Sequence, residues 1–305
     1  MTPRAPDRGA SVTAPAPDAL VRAVSADGGV SVRALSGRAL AREAARRHGT
    51  SPVATRALGR TLLGAILLAS GQDPEETVQI QLRGQGALGQ VTAIADGRGR
   101  VRGFLSHPEA DVPLRDGRID VAGAIGHGVL AVVRFRPGWR EPYSGIVPIQ
   151  TGEIASDLAH YLAESEQKPS ALALGEYQDV AGHIESAGGF LVQALPDADD
   201  ATVARVDTVV RGLPPVSELL GEGLGAADLA ELVLAGVGVR ELETSGPRFH
   251  CPCSRERVLH AMVLLGAEEL REIRRQGESL ETHCRFCGER YLLASDELGA
   301  LAPDA

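Results

Sequence analysis

Cysteine and lysine are the residue types that this sequence most conspicuously lacks. The first 250 of its 305 residues contain no cysteine, and Lys168 is the only lysine. A disulfide framework is therefore excluded from most of the chain. The basic residues are almost all arginine, which we interpret as genomic bias with little functional content.

Aromatic residues and positive charge are also scarce. Aromatics make up 3% of the chain, and its formal net charge is −9 at pH 7. A groove for nucleic acid needs positive charge to meet the phosphates, and single-strand binders also need aromatic rings on which bases stack. We therefore expect no nucleic-acid partner.

Long apolar runs are missing as well. No uninterrupted run approaches the roughly 18 residues that cross a bilayer, and the mean hydropathy of −0.03 is that of a soluble globular protein. Residues 1–18 are rich in proline and alanine, so we predict a disordered tail and no signal peptide. We accordingly expect a cytoplasmic protein without a membrane partner, in a compartment where paired cysteines more often bind metal than form lasting disulfides.

Residues 19–196 have the pattern of one α+β domain, with an antiparallel sheet and packed helices. Helical spacing over residues 36–71 is interrupted at Gly49, after which Ser51-Pro52 gives an N-cap and a first-turn proline. Residues 77–150 then alternate between apolar and polar positions in several short runs separated by turn residues, as strands in series do. Because the runs are close together, we predict an antiparallel meander.

Residues 197–245 differ in composition and read as an acidic, metastable helical linker. They hold ten acidic residues against three arginines. Two short amphipathic helices are predicted, around Val206 and Leu229, and many glycines and prolines flank them. Short helices of this kind are marginal on their own and need tertiary packing to persist.

Residues 246–305 hold all four cysteines, as Cys251-Pro-Cys253 and Cys284-Arg-Phe-Cys287. Four thiols in two close pairs have the number and spacing of a tetrahedral zinc site. Gly288 permits the tight turn of a zinc knuckle. His250 and His283 are alternative ligands beside the cysteines, but four thiolates already fill a tetrahedron. We therefore predict a small zinc-binding domain, which a bound metal would stabilise more than its own core.

A second motif, Gly84-Gln-Gly86-Ala-Leu-Gly89, matches the dinucleotide-binding string G-x-G-x-x-G. That motif must open a helix directly after a strand. A further strand follows here, so we interpret these glycines as turn positions and expect no nucleotide cofactor.

Several sequence blocks resemble one known family, the redox-regulated, ATP-independent chaperones called heat shock protein thirty-three. The resemblance covers nearly the whole chain except the first residues, while the linker matches in character more than in residues. The blocks are 51–52 with 57–60, 141–145, 152–158, 165–167, 188–193, 249–257 and 283–291.

The resemblance implies a function and a mechanism. Cys251, Cys253, Cys284 and Cys287 would bind one Zn²⁺ in a reduced, inactive state. Oxidation would form the disulfides Cys251–Cys253 and Cys284–Cys287 with loss of zinc, and the linker would unfold to uncover apolar surface for unfolded client proteins. The active form would be a cytoplasmic homodimer without catalytic residues.

Two other functions remain open at this point. The chain is an interaction protein if its zinc module is purely structural. It is a thiol-disulfide oxidoreductase if Cys284 and Cys287 are catalytic, although the strand and helix that flank a thioredoxin-like site are not predicted there. Strand residues Val78, Ile80 and Leu82 are candidates for client contact.

Overall fold

The computed structural model describes residues 17–71, 73–179, 182–277 and 279–301, with only the backbone for 241–242. Most of the predicted tail therefore lies outside the described residues. Asp18, at its end, belongs to the fold. Its carboxylate accepts hydrogen bonds from the backbone N–H groups of Ala39 and Leu40 at 3.0 and 2.7 Å, and so caps the first helix.

Strands and helices alternate irregularly along the described chain. The strands are β1 (Ala19–Ser25), β2 (Val30–Ser36), β3 (Thr77–Gly84), β4 (Gln90–Asp96), β5 (Arg100–Leu105), β6 (Gly128–Phe135), β7 (Tyr143–Pro148), β8 (Ser170–Gln178), β9 (Ile184–Ala194), β10 (Val239–Ser245), β11 (Arg248–Phe249), β12 (Leu280–His283) and β13 (Arg290–Leu293). The helices are α1 (Arg38–His48), α2 (Pro52–Ala69), α3 (Val121–Ile125), α4 (Ile154–Glu164), α5 (Asp200–Gly212), α6 (Val216–Gly221), α7 (Ala226–Val233), α8 (Arg255–Met262), α9 (Ala267–Gln276) and α10 (Ser295–Ala300). The mixed α+β class is therefore confirmed.

Two sheets enclose the central helix α2. The first sheet has the order β10-β1-β2-β9-β8, and the second has the order β11-β5-β4-β3-β6-β7. α2 contacts strands of both sheets. It begins as its sequence predicts, because the Ser51 hydroxyl accepts a hydrogen bond from the Ala54 N–H at 3.3 Å and Pro52 is the first helical residue.

Judged by length and composition alone, α2 could cross a membrane. Its 18 residues have a mean hydropathy of 1.2, and 83% of them are buried inside the protein. No such segment is expected from the sequence, because Arg56 and Arg60 interrupt the apolar run of this helix. Its burial between two sheets identifies it as the core helix of a folded domain.

The second sheet is antiparallel as predicted, except for β11, but it is not a simple meander. β3 pairs with both β4 and β6, so it is the centre of the sheet. Gly84 ends β3, and Gly86 and Gly89 lie in the connection between β3 and β4, which agrees with the interpretation of the glycine motif.

Val78, Ile80 and Leu82 are unsuitable for client contact. Each is fully buried in the core that contains α2. The proposal of these residues as a client surface was wrong, because the half-buried pattern of β3 turns its apolar side toward α2. Its outer side carries the polar residues.

The acidic segment covers the outer face of the first sheet. It contains three helices, α5 to α7, where two were predicted, and the strand β10, which pairs with β1. Together the sheet and the helices form a second apolar core, which includes Val21, Ala23, Val30, Val32, Ala34, Phe190 and Val192 from the sheet and Val206, Val216, Leu219, Leu220, Leu229, Ala230, Val233 and Leu234 from the segment.

The last segment forms a small module of α8, α9, α10 and the β12–β13 hairpin. Its helical stretch breaks at Gly266, with φ of +91°, and α9 ends at Gly277, with φ of +68°. Among the described residues, the fully buried members of this module's apolar core are Leu270, Leu293 and Leu298, against which seven partly buried residues pack: Val258, Leu259, Met262, Ile273, Leu280, Tyr291 and Leu301. A core of three leucines is small for a stable domain.

Candidate metal centre

The structure brings the four cysteines together. Cys251 and Cys253 follow β11, and Cys284 and Cys287 lie in the turn between β12 and β13. All four sulfur atoms lie within 4.8 Å of one another. The Sγ atoms of Cys251 and Cys284 are 3.7 Å apart, and those of Cys253 and Cys287 are 3.3 Å apart.

These distances fit a tetrahedral metal site. With Zn–S bonds of about 2.3 Å, the sulfurs of a tetrahedron are about 3.8 Å apart. Four thiolate donors are also the set that structural zinc sites use. The residues present can therefore hold a metal ion of this type.

A tight turn presents Cys284 and Cys287. The N–H of Cys284 donates to the Glu289 carbonyl at 2.8 Å, and the Cys284 carbonyl accepts from the Gly288 N–H at 2.8 Å. Gly288 has a φ of +71°, in the left-handed region where residues with a side chain are strained. The predicted role of Gly288 in the knuckle turn follows from this geometry.

The thiols differ in their electrostatic surroundings. Burial raises the pKa of Cys251 and that of Cys287. Burial also acts to raise the pKa of Cys253, but hydrogen bonds to its sulfur outweigh burial and lower that pKa. The main one is donated by the Tyr291 hydroxyl at 3.2 Å. The surroundings of Cys251 and Cys287 therefore favour the protonated thiol. A bound cation would be needed to keep all four cysteines as thiolates.

The two neighbouring histidines are outside the cluster. Within the described part of the chain, the group of ligand atoms at this position consists of the four cysteine sulfurs alone. His250 instead donates its backbone N–H to the Val101 carbonyl at 2.8 Å, and His283 ends β12 opposite Arg290.

The cysteine loops are docked on the first domain through β5. β11 pairs in parallel with β5, Phe249 being opposite Val101. Phe286, between the second pair of cysteines, packs edge-to-face on Phe104 with ring centroids 5.0 Å apart. In each of the two cysteine loops, the docking residue is thus within two residues of a cysteine.

Arginines surround this contact on both sides. The Arg102 guanidinium lies 4.9 Å from the ring centroid of Phe286, and that of Arg285 lies 4.2 Å from the centroid of Phe104. The positive charge of an arginine is attracted to the face of an aromatic ring, at exposed as well as at buried positions. These charged groups therefore stabilise the contact between the module and β5.

Arg47, in the last turn of α1, contacts the turn that carries Cys284 and Cys287. Its guanidinium contacts the Cys287 carbonyl at 3.5 Å and lies 3.9 Å from the Glu289 carboxylate. A Cβ added to Gly288 would lie 2.7 Å from the Arg47 carbonyl oxygen, so the close approach also requires glycine. Nothing in the sequence pattern points to Arg47 or Arg102.

Comparisons with known proteins agree with this architecture. A family model described as "Hsp33 protein" matches residues 18–294. The "33 kDa chaperonin" of Geobacter sulfurreducens is 40% identical over 285 residues, covering 93% of this chain and 94% of that protein. That of Limosilactobacillus fermentum is 38% identical over 284 residues, covering 92% and 97%.

A solved structure extends the comparison to the fold. The crystal structure of the 33 kDa chaperonin (heat shock protein 33 homologue) from Thermotoga maritima superposes with a TM-score of 0.86 at 34% identity, covering 93% of this chain and 97% of that one. The two-sheet domain and its four-thiol module therefore define a molecular chaperone rather than an enzyme. The chain belongs to the Hsp33 family.

Proposed function

We propose that the protein is an ATP-independent holdase chaperone that oxidation activates. In the reduced state, Cys251, Cys253, Cys284 and Cys287 hold one Zn²⁺ as thiolates. An oxidant such as peroxide takes two electrons from each close pair and is reduced to water. The pairs become the disulfides Cys251–Cys253 and Cys284–Cys287, and the zinc, having lost its thiolates, leaves.

The sulfur positions support a rearrangement on oxidation. Sulfurs of the two different loops are in contact, at 3.7 Å for Cys251 and Cys284 and at 3.3 Å for Cys253 and Cys287. A disulfide within each loop requires its own two sulfurs to approach to about 2.0 Å. Such bonds no longer hold the Cys251 loop against the Cys284 loop. The module, whose buried core is three leucines, would then lose its main stabilising interaction.

One observation carries the proposal most directly: the acidic segment covers a continuous apolar face of the first sheet, and its last strand leads within a few residues to Cys251. We accordingly propose residues 19–196 as the core domain, 197–245 as a metastable linker and 246–305 as the switch domain. Loss of the metal frees the C-terminal end of the linker. The linker then melts and bares a surface that can bind many unrelated unfolded clients.

The remaining elements of the proposal concern setting and assembly. A chaperone family implies unfolded or partly unfolded proteins as partners. We propose that the protein works in the cytoplasm, that its active form is a homodimer, and that it binds neither nucleic acid nor membrane. The net charge of −9 supports the exclusion of nucleic acid.

Light scattering of a chemically unfolded client tests the proposal. The full chain is added either reduced and zinc-loaded or after peroxide treatment at mild heat, while a chromogenic chelator measures released zinc. We expect one equivalent of zinc to appear as aggregation becomes suppressed. Zinc that stays bound under peroxide, with equal suppression by both forms, would instead identify a structural zinc module in an interaction protein.

A further inference from the structure

The edge of β5 carries a binding surface that the protein's own switch module occupies. This β5 edge site consists of the backbone of residues 99–101 with the side chains of Arg47, Arg102 and Phe104. The Gly99 and Val101 carbonyls accept hydrogen bonds from the N–H groups of Arg248 and His250 at 3.0 and 2.8 Å. The module therefore binds here partly by adding a short strand to the sheet.

The side chains of the occupant define what the site recognises. Phe286 packs on Phe104 with Arg102 over its ring. Arg47 lies 5.3 Å from the ring centroid of Phe249 and faces the Glu289 carboxylate. The occupant thus offers an extended backbone, aromatic rings and one carboxylate.

Two features indicate room for a different occupant. The Arg102 Nε is buried and has no hydrogen-bond partner among the described residues, so a carbonyl or carboxylate oxygen placed there would satisfy it. A cavity of about 190 Å³ also lies between Arg102 and the His250–Pro252 segment. The module does not fill the site completely.

The site would survive the opening of the linker. Val101 and Leu105 are buried in the core that contains α2, whereas the linker covers the other sheet. Melting of the linker and departure of the module would therefore leave β5 in place, with an unpaired strand edge. Such an edge is a template for another chain.

We propose that the β5 edge site, once the switch module leaves it, binds an extended segment of an unfolded client that carries aromatic residues next to an acidic one. In the reduced protein the module acts as an internal mimic of that segment. The inference rests on the proposed holdase function and adds a second client surface, at an edge of the second sheet, separate from the apolar face of the first sheet beneath the linker. The local arginines offset the repulsion that an acidic segment meets from a chain of net charge −9.

A labelled peptide tests the inference on the full chain. The probe is acetyl-Ser-Phe-Glu-Phe-Thr-amide carrying fluorescein, with one phenylalanine replaced by the photo-crosslinker benzoylphenylalanine for mapping. We expect at least tenfold tighter binding, by fluorescence anisotropy, to the peroxide-treated protein than to the reduced, zinc-loaded protein. Crosslinks are expected on residues 99–104 and near Arg47.

Three variants sharpen the test. Arg102→Glu should weaken probe binding to the oxidised protein at least fivefold, while Arg83→Glu, at an exposed arginine of the same sheet, should leave it unchanged. The double variant Phe249→Ser and Phe286→Ser vacates the site while all four thiols stay reduced, and it should bind the probe without oxidant.

The outcomes separate this inference from the proposed function. Crosslinks confined to the face beneath the linker, or equal binding by Arg102→Glu and Arg83→Glu, would overturn the β5 edge site even if oxidation activates the chaperone. Binding by the reduced double variant, combined with zinc retention under peroxide, would support the site and refute redox control.

Discussion

Removal of the Phe286 ring is the most informative perturbation of the closed state. Phe286→Ala deletes the edge-to-face contact with Phe104 and the Arg102 cation–π contact. An aromatic pair contributes about 0.5–1.5 kcal/mol beyond its area, and a cation–π contact about 0.5–1 kcal/mol. Docking should therefore weaken by about 1–2.5 kcal/mol, which raises the undocked population roughly 5- to 60-fold.

Native-state hydrogen exchange measures this change directly. The His250 N–H is bonded to the Val101 carbonyl only while the module is docked, so its exchange should accelerate by the same factor. Zinc content should stay at one equivalent, since none of the four sulfurs is altered. Phe135→Ala is the matched control, because Phe135 is 45% exposed on β6. Unchanged exchange at His250 in Phe286→Ala would refute the view that this ring holds the module.

Three further predictions concern the metal, the linker and pH. Cys287→Ser should abolish stoichiometric zinc binding and unfold the switch module, because zinc supplies about 10–16 kcal/mol to such domains; zinc content and module amide exchange report both. Leu229 is a fully buried linker residue, so Leu229→Ala should lower the free energy of unfolding of the linker by about 2–5 kcal/mol. The reduced, zinc-loaded variant should then show holdase activity in the scattering assay. Leu264→Ala, at a residue 89% exposed, should not show this activity. Burial raises the pKa of Glu176 to about 7. Between about pH 4.5 and pH 7 the folded protein therefore keeps a proton on this carboxyl group that the unfolded chain has released. The free energy of unfolding should fall as pH rises through this range, by up to about 1.4 kcal/mol per pH unit. Melting temperatures should show this slope in the native chain and a flatter one in Glu176→Gln; equal slopes would contradict it.

Local signals predicted the elements whose causes are local. The Ser51-Pro52 start of α2 and the end of α1 at Gly49 are consequences of backbone chemistry within one turn. The hairpin β1–β2 also had a signal, since Asp27-Gly28 separates two alternating runs, but it was overlooked. β10 had none: it carries Arg240, Glu241 and Glu243 and is a strand because β1 offers it an edge.

The candidate site also has one part that the sequence predicts and another that it does not. The spacing of the four cysteines predicted that they meet, because two close pairs in a small module have few other uses. Their docking partners could not be predicted, since Arg47 and Phe104 are far from Cys287 in the chain. Only the packing of α1 and β5 brings them together, and periodicity within one segment contains no information about that contact.

Hydrogen exchange in the linker tests the central claim most directly. Amides of α6 and α7 are measured in the reduced, zinc-loaded protein and again after peroxide has removed the metal, with α2 as the internal reference. We predict that linker protection falls to the level of an unfolded chain while α2 stays protected. Linker amides that remain equally protected when zinc is absent and all four sulfurs are in disulfides would contradict the account.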